Sequence, residues 1–479
     1  MNHKPAGQRS FEAETKSMAT NTQSIRQQLA ALSPAKRSLL ELRLMQKRRR
    51  SETARASIPR LPERTSASLS NSQQGLWVLN QVMPGASVYH TPTAARLTGK
   101  LDVAALRAAL DAIVARHGAL RTTFVTVEGT PRQVLRKQMS LELPLIDLCG
   151  LPDAEREDQA QQLLRHEVSK AFDLSQGPLI RALLIKLNDD EHILLVTMHH
   201  IVTDGWSMGI FHRELSMLYE AFNKQEPPPL DELPIQYLDY ADWQRQWVES
   251  ESYREQLAYW KKKFATLPAP LELPTDHPRP SMQAHRVFRG SHHTCHLSRQ
   301  LTKELKLLCQ KENVTLFMAL LAVYKVLLHR YTGERDIVVG TPIAGRQAPE
   351  TEELIGLFIN TLALRSEISG SLSFSEVLKQ VKAVALEAYA NQELPFERLV
   401  KELQPERTLS HNPLFQVMFV LQSAEILPVQ LSGLITEHFR IDHVMANFDL
   451  TLDIVEREGQ LVACSNRTPI FSSRKLSSE

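Results

Sequence analysis

Met198 to Ser207 reads MHHIVTDGWS, and around this stretch the hydrophobic pattern changes from that of a strand to that of a helix. His192 to Met198 (HILLVTM) is an apolar run that suits a strand buried on both faces of a sheet. From Trp206 onward, Ile210, Phe211, Leu215, Leu218, Tyr219 and Phe222 recur with helical spacing and give an amphipathic helix pinned to that sheet. Asp204 and Gly205 therefore fall in a strand-to-helix turn. His199 and His200 end the strand, and successive strand side chains point to opposite faces. One imidazole faces the packing, and the other can face a cavity.

An imidazole with an ordinary pKa of roughly 6.5 can take a proton and return it near neutrality, so the cavity-facing histidine is a candidate general base. Asp204 has two readings, a carboxylate that orients this histidine or a buried ion-pair member that locks the loop. A double histidine alone is more often packing than chemistry. The DG at this spacing, on a strand, turn and helix, shifts the weight to function.

His199, His200, Asp204 and Gly205 match the HHxxxDG signature, and the chain resembles the condensation domains of nonribosomal peptide synthetases, relatives of chloramphenicol acetyltransferase. The resemblance implies that His200 carries the chemistry and that Asp204 is mainly structural, paired with an arginine. Further motifs follow in order. Leu69 to Leu79 resembles the first family motif, with Ser72 and Gly75 in place of the usual Ala and Arg. The end of Leu101 to Phe124 resembles RHExLRTxF, with Gly118 where Glu is common. Ile235 to Trp247 resembles YxDYAxWQ, and Ile355 to Arg365 resembles IGxFVNTLxLR, with Asn360 as its polar element. Asn391 to Val400, Arg407 to Phe419 and the FDLTL strand Phe448 to Leu452 complete the series. A buried carboxylate needs a cation, which makes Arg121 or Arg116 the expected partner of Asp204. Trp206 and Asn360 are expected to support the site.

The implied fold is α/β, two chloramphenicol-acetyltransferase-like lobes in a V-shaped pseudo-dimer with an active-site tunnel between them. With 479 residues and 43% hydrophobic content the chain can build two cores. The expected division is 1–65, a basic N-terminal helix and linker able to dock a partner; 66–266, the lobe with HHxxxDG; and 267–479, the second lobe, truncated near its final helix. Pro-rich Leu267 to Pro280 marks the boundary between lobes. Val314 to Leu328 is apolar almost all round and is expected to be a helix inside the second lobe.

A formal charge of +2 argues against a dedicated nucleic-acid binder, and no run approaches a membrane span. Cys149, Cys295, Cys309 and Cys464 lack CxxC spacing and indicate neither zinc nor disulfides, which fits reduced cytosol. Strand-like alternation of His292, His293, Cys295 and His296 keeps them from converging on one ion.

The resemblance implies transfer of an acyl or peptidyl thioester, carried on the 4'-phosphopantetheine of a donor carrier domain, to the α-amine of an aminoacyl group on an acceptor carrier. An adenylation domain of the same assembly line is an implied partner. No covalently bound cofactor, metal, nucleic acid or membrane is expected, and the chain is expected to act as a cytoplasmic monomer. Two alternatives share these residues, an acyltransferase using a free amine or alcohol and a non-catalytic module that recruits partners.

Overall fold

The computed structural model describes residues 57–61, 64–85, 87–276, 290–405, 412–422, 429–441 and 446–468. The expected docking helix before Ser51, the greater part of the linker and the C-terminal end after residue 468 lie outside these.

In chain order the first lobe contains β1 (Ser66–Ser68), α1 (Asn71–Val82), β2 (His90–Thr98), α2 (Val103–Arg116), β3 (Thr122–Val127), β4 (Thr130–Leu135) and β5 (Leu145–Asp147). It continues with α3 (Asp153–Ser169), β6 (Ile180–Asn188), β7 (Glu191–His199), α4 (Gly205–Asn223) and α5 (Tyr237–Trp247). The second lobe contains α6 (Glu251–Lys263), β8 (Ser291–His296), α7 (Arg299–Lys311), α8 (Leu316–Thr332), β9 (Asp336–Ile343), β10 (Asn360–Glu367), α9 (Phe374–Ala390), α10 (Phe396–Leu403), β11 (Val417–Gln422), β12 (Ile435–His438), β13 (Leu450–Arg457) and β14 (Gln460–Arg467).

A 5-stranded sheet, ordered β12-β2-β7-β6-β5, forms the first lobe, and a 6-stranded sheet, β10-β9-β11-β13-β14-β8, forms the second. β7 is buried on both faces, as its apolar run requires. Leu194, Val196 and Met198 join the core under α2 and α4, and Ile193 and Leu195 join Ala160, Leu164 and Val168 of α3 on the other face.

Two stretches of the second lobe cross to the first. β9 and β10 pair antiparallel with Ile343 opposite Asn360, yet instead of a tight turn the chain makes an excursion over residues 344–359. Its Leu354, Leu357 and Phe358 pack with Ile235, Tyr237 and Tyr240 of the first lobe. β12 leaves the second lobe altogether and adds to the edge of the first sheet, pairing with β2 from Ile435 opposite Thr98 to His438 opposite Ala95.

Two expectations change. The Pro-rich stretch, expected as the boundary between lobes, packs at Leu271 and Leu273 into the second core together with Tyr253, Trp260 and Phe264, so that core already begins at α6. Apolar packing outweighs the prolines, which interrupt helix without forcing the chain into solvent. Nor is α8 buried all round. Val323, Leu327 and Tyr331, one turn apart, are exposed, while the opposite face buries Lys325, whose Nζ donates to Ile337 O, Leu364 O and Ser366 Oγ.

Candidate active site

β7 delivers His199 into the first core at 1% exposure. Its Nδ1 accepts the Ile201 N–H at 3.1 Å, and His90 and Phe172 present their rings with centroids 6.0 Å away. Burial pushes its pKa down to about 3, with repulsion from His90 and His200 adding to the shift. A neutral imidazole with one nitrogen engaged and the other enclosed is a structural group.

His200 begins the short 3-10 turn His200–Val202 and is only partly buried. Its Nδ1 lies 2.7 Å from the Thr203 carbonyl. A carbonyl can only accept, so the proton sits on Nδ1 and the lone pair on Nε2. Among the described residues Nε2 has no hydrogen-bond partner. Of the two histidines, His200 is therefore the one with an unengaged ring lone pair, and what separates them is the passage from β7 into the 3-10 turn, not alternation along one strand.

Asp204 is the N-cap of α4, with Oδ1 accepting both the Ser207 N–H and the Ser207 hydroxyl at 2.8 Å. Its Oδ2 accepts the Phe358 N–H at 2.9 Å from the excursion of the other lobe. Its cation is Arg346, whose Nη2 is 3.3 Å from Oδ1, both side chains being 2% exposed. Arg346 also donates to Ser207 Oγ at 2.7 Å, to Leu354 O at 2.7 Å and to Thr351 O, and its guanidinium lies over the Phe358 ring at 4.1 Å. Burial lowers its pKa against the opposing pull of Asp204. Asp204 thus locks the turn and does not orient His200.

Neither expected arginine meets Asp204. Arg121 donates to the carbonyls of Val114, Ala115, Arg136 and Lys137, tying the end of α2 to the loop after β4. Arg116 pairs with Glu214 at 3.1 Å, and His117 Nε2 meets the same carboxylate at 2.8 Å. Burial alone would raise the Glu214 pKa, yet these two partners hold it below its usual value. His117 Nδ1 in turn accepts the Ile355 N–H at 3.2 Å, so Arg116 supports the site through the excursion.

Trp206 is half exposed and donates Nε1–H to Glu352 O at 3.1 Å, 6.0 Å from Arg346. Asn360 lies further away in the network. Its Nδ2 donates to Gln392 O and Leu394 O and its Oδ1 accepts the Phe396 N–H, which fixes the start of α10. Gly205 is the first residue of α4, and a Cβ there would meet nothing within 4 Å. Sequence reasoning missed Arg346 and the bridging Ser207 hydroxyl. Arg346 ends the sequence GTPIAGR, which begins in β9; its signals were the need of Asp204 for a cation and the resemblance of this stretch to the part of condensation domains where the second lobe reaches over the first. Tyr237 was missed too; its hydroxyl donates to Leu357 O at 2.6 Å.

The family model of the Condensation domain matches residues 63–477. The chain belongs to the condensation-domain family. It is 49% identical over 397 residues to a linear gramicidin synthase polypeptide of Brevibacillus parabrevis, covering 82% of this chain and 8% of that protein. Phosphinothricin tripeptide synthetase PhsC of Streptomyces viridochromogenes is 42% identical over 436 residues, 90% of this chain and 39% of that protein. This condensation domain therefore spans well under two thirds of these curated relatives. Among solved structures, the X-domain from teicoplanin biosynthesis superposes with a TM-score of 0.79 at 25% identity, covering 88% of this chain and 93% of that one. The first condensation domain of the calcium-dependent antibiotic synthetase, in complex with a substrate analogue, gives 0.70 at 24% identity over 85% and 92%. The fold is the chloramphenicol-acetyltransferase-like pseudo-dimer of the condensation domains.

Proposed function

We propose that this condensation domain joins a carrier-bound acyl or peptidyl thioester to the α-amine of a carrier-bound aminoacyl group within a cytoplasmic peptide assembly line. The observation that carries this reading is the His200 ring, held by Thr203 O with its Nε2 lone pair unengaged, in a turn clamped from both lobes. Phosphopantetheine is the arm on which both substrates arrive and is not a resident group of this chain.

The reaction follows from these residues. An α-amine has a pKa near 8, so a fraction is neutral at cellular pH without strong assistance. Holding amine and thioester together makes the encounter effectively unimolecular. As nitrogen attacks the thioester carbon, the N–C bond forms and the nitrogen becomes acidic. Nε2 of His200 takes that proton and returns it to sulfur as the C–S bond breaks, so the products are an amide and a free thiol. His199, neutral and enclosed, holds the strand end. Asp204, Arg346 and Ser207 keep the turn in one geometry. Glycine at position 205 is required neither by a left-handed backbone nor by packing. Room for the reacting group in the turn that carries His200 accounts for it.

A second reading has one observation in its favour: a further structural neighbour, an X-domain at 26% identity, is solved in complex with OxyB. One experiment separates the readings. Donor and acceptor are loaded on separate carrier proteins, and the acceptor carrier is weighed by intact-protein mass spectrometry. Appearance of the donor mass on the acceptor carrier with wild type, and its loss with His200→Ala, supports condensation. Donor released as a soluble amide or ester points to a free acceptor. Carrier binding without transfer points to recruitment.

A further inference from the structure

α1 of the first lobe and α10 of the second are in contact, and the seam between them is built on an enclosed acid. Arg398 Nε donates to Asn71 Oδ1 at 2.6 Å, and the Glu397 side chain packs against Gly75. A Cβ at Gly75 would stand 3.0 Å from Glu397 Cγ and 3.6 Å from its Oε1. Glycine is a poor helix former, so its place within α1 answers to this close approach. Glu397 as a whole is half-buried, yet its Oε2 is shut off from water and has no hydrogen-bond partner among the described residues.

No cation answers this carboxyl. α1 (NSQQGLWVLNQV) carries no ionisable side chain, and Gly75 stands where the first family motif usually has arginine. On α10 itself Arg398 is turned to Asn71, Lys401 lies one turn on, and Glu402 pairs with Lys261 of α6 at 2.6 Å. α6 also presents the buried Tyr253, and its Gln256 donates to Glu393 at 3.2 Å. β10 offers Asn360, whose Oδ1 takes the Phe396 N–H. None of these charges moves the Glu397 carboxyl. Burial raises its pKa above the ordinary value, opposed only by a hydrogen bond from its own backbone. An ionised carboxylate enclosed without a cation is costly, so the closed seam keeps the proton.

α1 carries the state of the seam to the chemistry. Gln73 lies two residues before Gly75 and so on the other side of the helix. Its Nε2 donates to Ile201 O at 3.3 Å, in the 3-10 turn that begins with His200. Its Oε1 accepts the Ser70 N–H at 3.1 Å, which fixes the amide at both ends.

We infer that Glu397 is a positioning residue: its proton lets α10 close on α1 and so steadies the His200 turn through Gln73, and its loss to solvent opens the seam. The effect on transfer rests on the condensation reading, whereas the effect on the turn does not. The sign is fixed. A carboxyl group that is protonated in the closed seam and ionises at roughly 4.3 once solvated makes closure weaken as pH rises, by up to about tenfold in the opening equilibrium per pH unit. The weakening ends once the enclosed group has itself ionised.

The test is hydrogen exchange of the full chain between about pH 5 and 8, corrected for the intrinsic exchange rate at each pH. Glu397→Gln keeps the shape and cannot ionise, and Gly75→Arg supplies the missing cation, so a folding defect in one variant, seen as a lost thermal transition, leaves the other to decide. In wild type, protection of α1, of α10 and of the turn His200–Val202 is expected to fall at least about tenfold over this range, while the centre of β7 holds steady. Both variants are expected to stay flat. Equal decline in a folded variant, no decline in wild type, or a decline in the helices that the turn does not follow overturns the inference. Carrier-to-carrier transfer is measured in parallel. The rate of Glu397→Gln relative to wild type is expected to rise at least about threefold between pH 6 and 8, and a constant ratio removes Glu397 from positioning. Absence of transfer at every pH refutes condensation, and the exchange of the turn then decides the inference by itself.

Discussion

Arg346 stands 142 positions after Asp204 in the chain, and its guanidinium lies 3.3 Å from that carboxylate with both side chains all but excluded from water. Removing one partner leaves the other charged and enclosed, which costs about 3–5 kcal/mol. Asp204→Asn and Arg346→Met should each lower stability by that order in urea denaturation. The double variant should recover a large part of the loss, because no lone charge remains. Simple additivity of the two losses would show that the pair is not coupled.

His200→Ala should lower the transfer rate by about 10² to 10⁴ with an unchanged thermal midpoint, since the imidazole makes one hydrogen bond to the protein and is partly solvated. Single-turnover transfer between loaded carriers measures it. A well-folded variant close to wild-type rate would remove His200 from the acid/base role.

The depressed pKa of His199, about 3 against an ordinary 6.5, sets a pH dependence whose sign is fixed. Between those values the unfolded chain binds a proton that the folded chain refuses, so stability rises with pH up to about 6.5 and falls below it. One such proton contributes a slope of at most about 1.4 kcal/mol per pH unit. Burial lowers His117 in the same direction, so the comparison is between variants. His199→Asn, whose side-chain oxygen can still accept the Ile201 N–H, should flatten the decline between pH 6.5 and 4. Equal slopes for variant and wild type would mean that His199 becomes charged in the folded protein.

Gly356 and Gly205 should separate cleanly. A Cβ at Gly356 would come within 2.1 Å of the Tyr237 ring, so Gly356→Ala should loosen the excursion and lower both stability and transfer. Gly205→Ala meets open space at a helix start, so its thermal midpoint should hold or rise slightly. Its transfer should nonetheless fall by about tenfold or more if that space admits the reacting group. Full activity in Gly205→Ala would show that the space has no catalytic use.

The strand, turn and helix around His200 were legible because the period changes sharply between Met198 and Ile210; the two imidazoles part because His199 ends β7 and His200 starts the 3-10 turn. The demand of Asp204 for a cation was legible as well. Its identity was not, because residues 344–359 follow neither strand nor helix period and nothing in their spacing announces a crossing to the other lobe. Arg116 at the end of a recognisable helix and Arg121 just beyond it drew the assignment, yet Glu214 and local carbonyls hold them. The prolines around Leu271 misled in the same way: a breaker of regular structure says nothing about where its apolar neighbours pack.

The excursion between β9 and β10 has a thermodynamic consequence. Asp204, Ser207, His117 and Tyr237 of the first lobe each have at least one partner, an amide, a carbonyl or the Arg346 guanidinium, from the second lobe. If the lobes separated, each of these enclosed polar groups would lose its cross-lobe partner at once. The two halves should therefore melt in a single cooperative transition, with neither surviving as an independent folding unit, and loss of activity on heating should track that transition and not precede it.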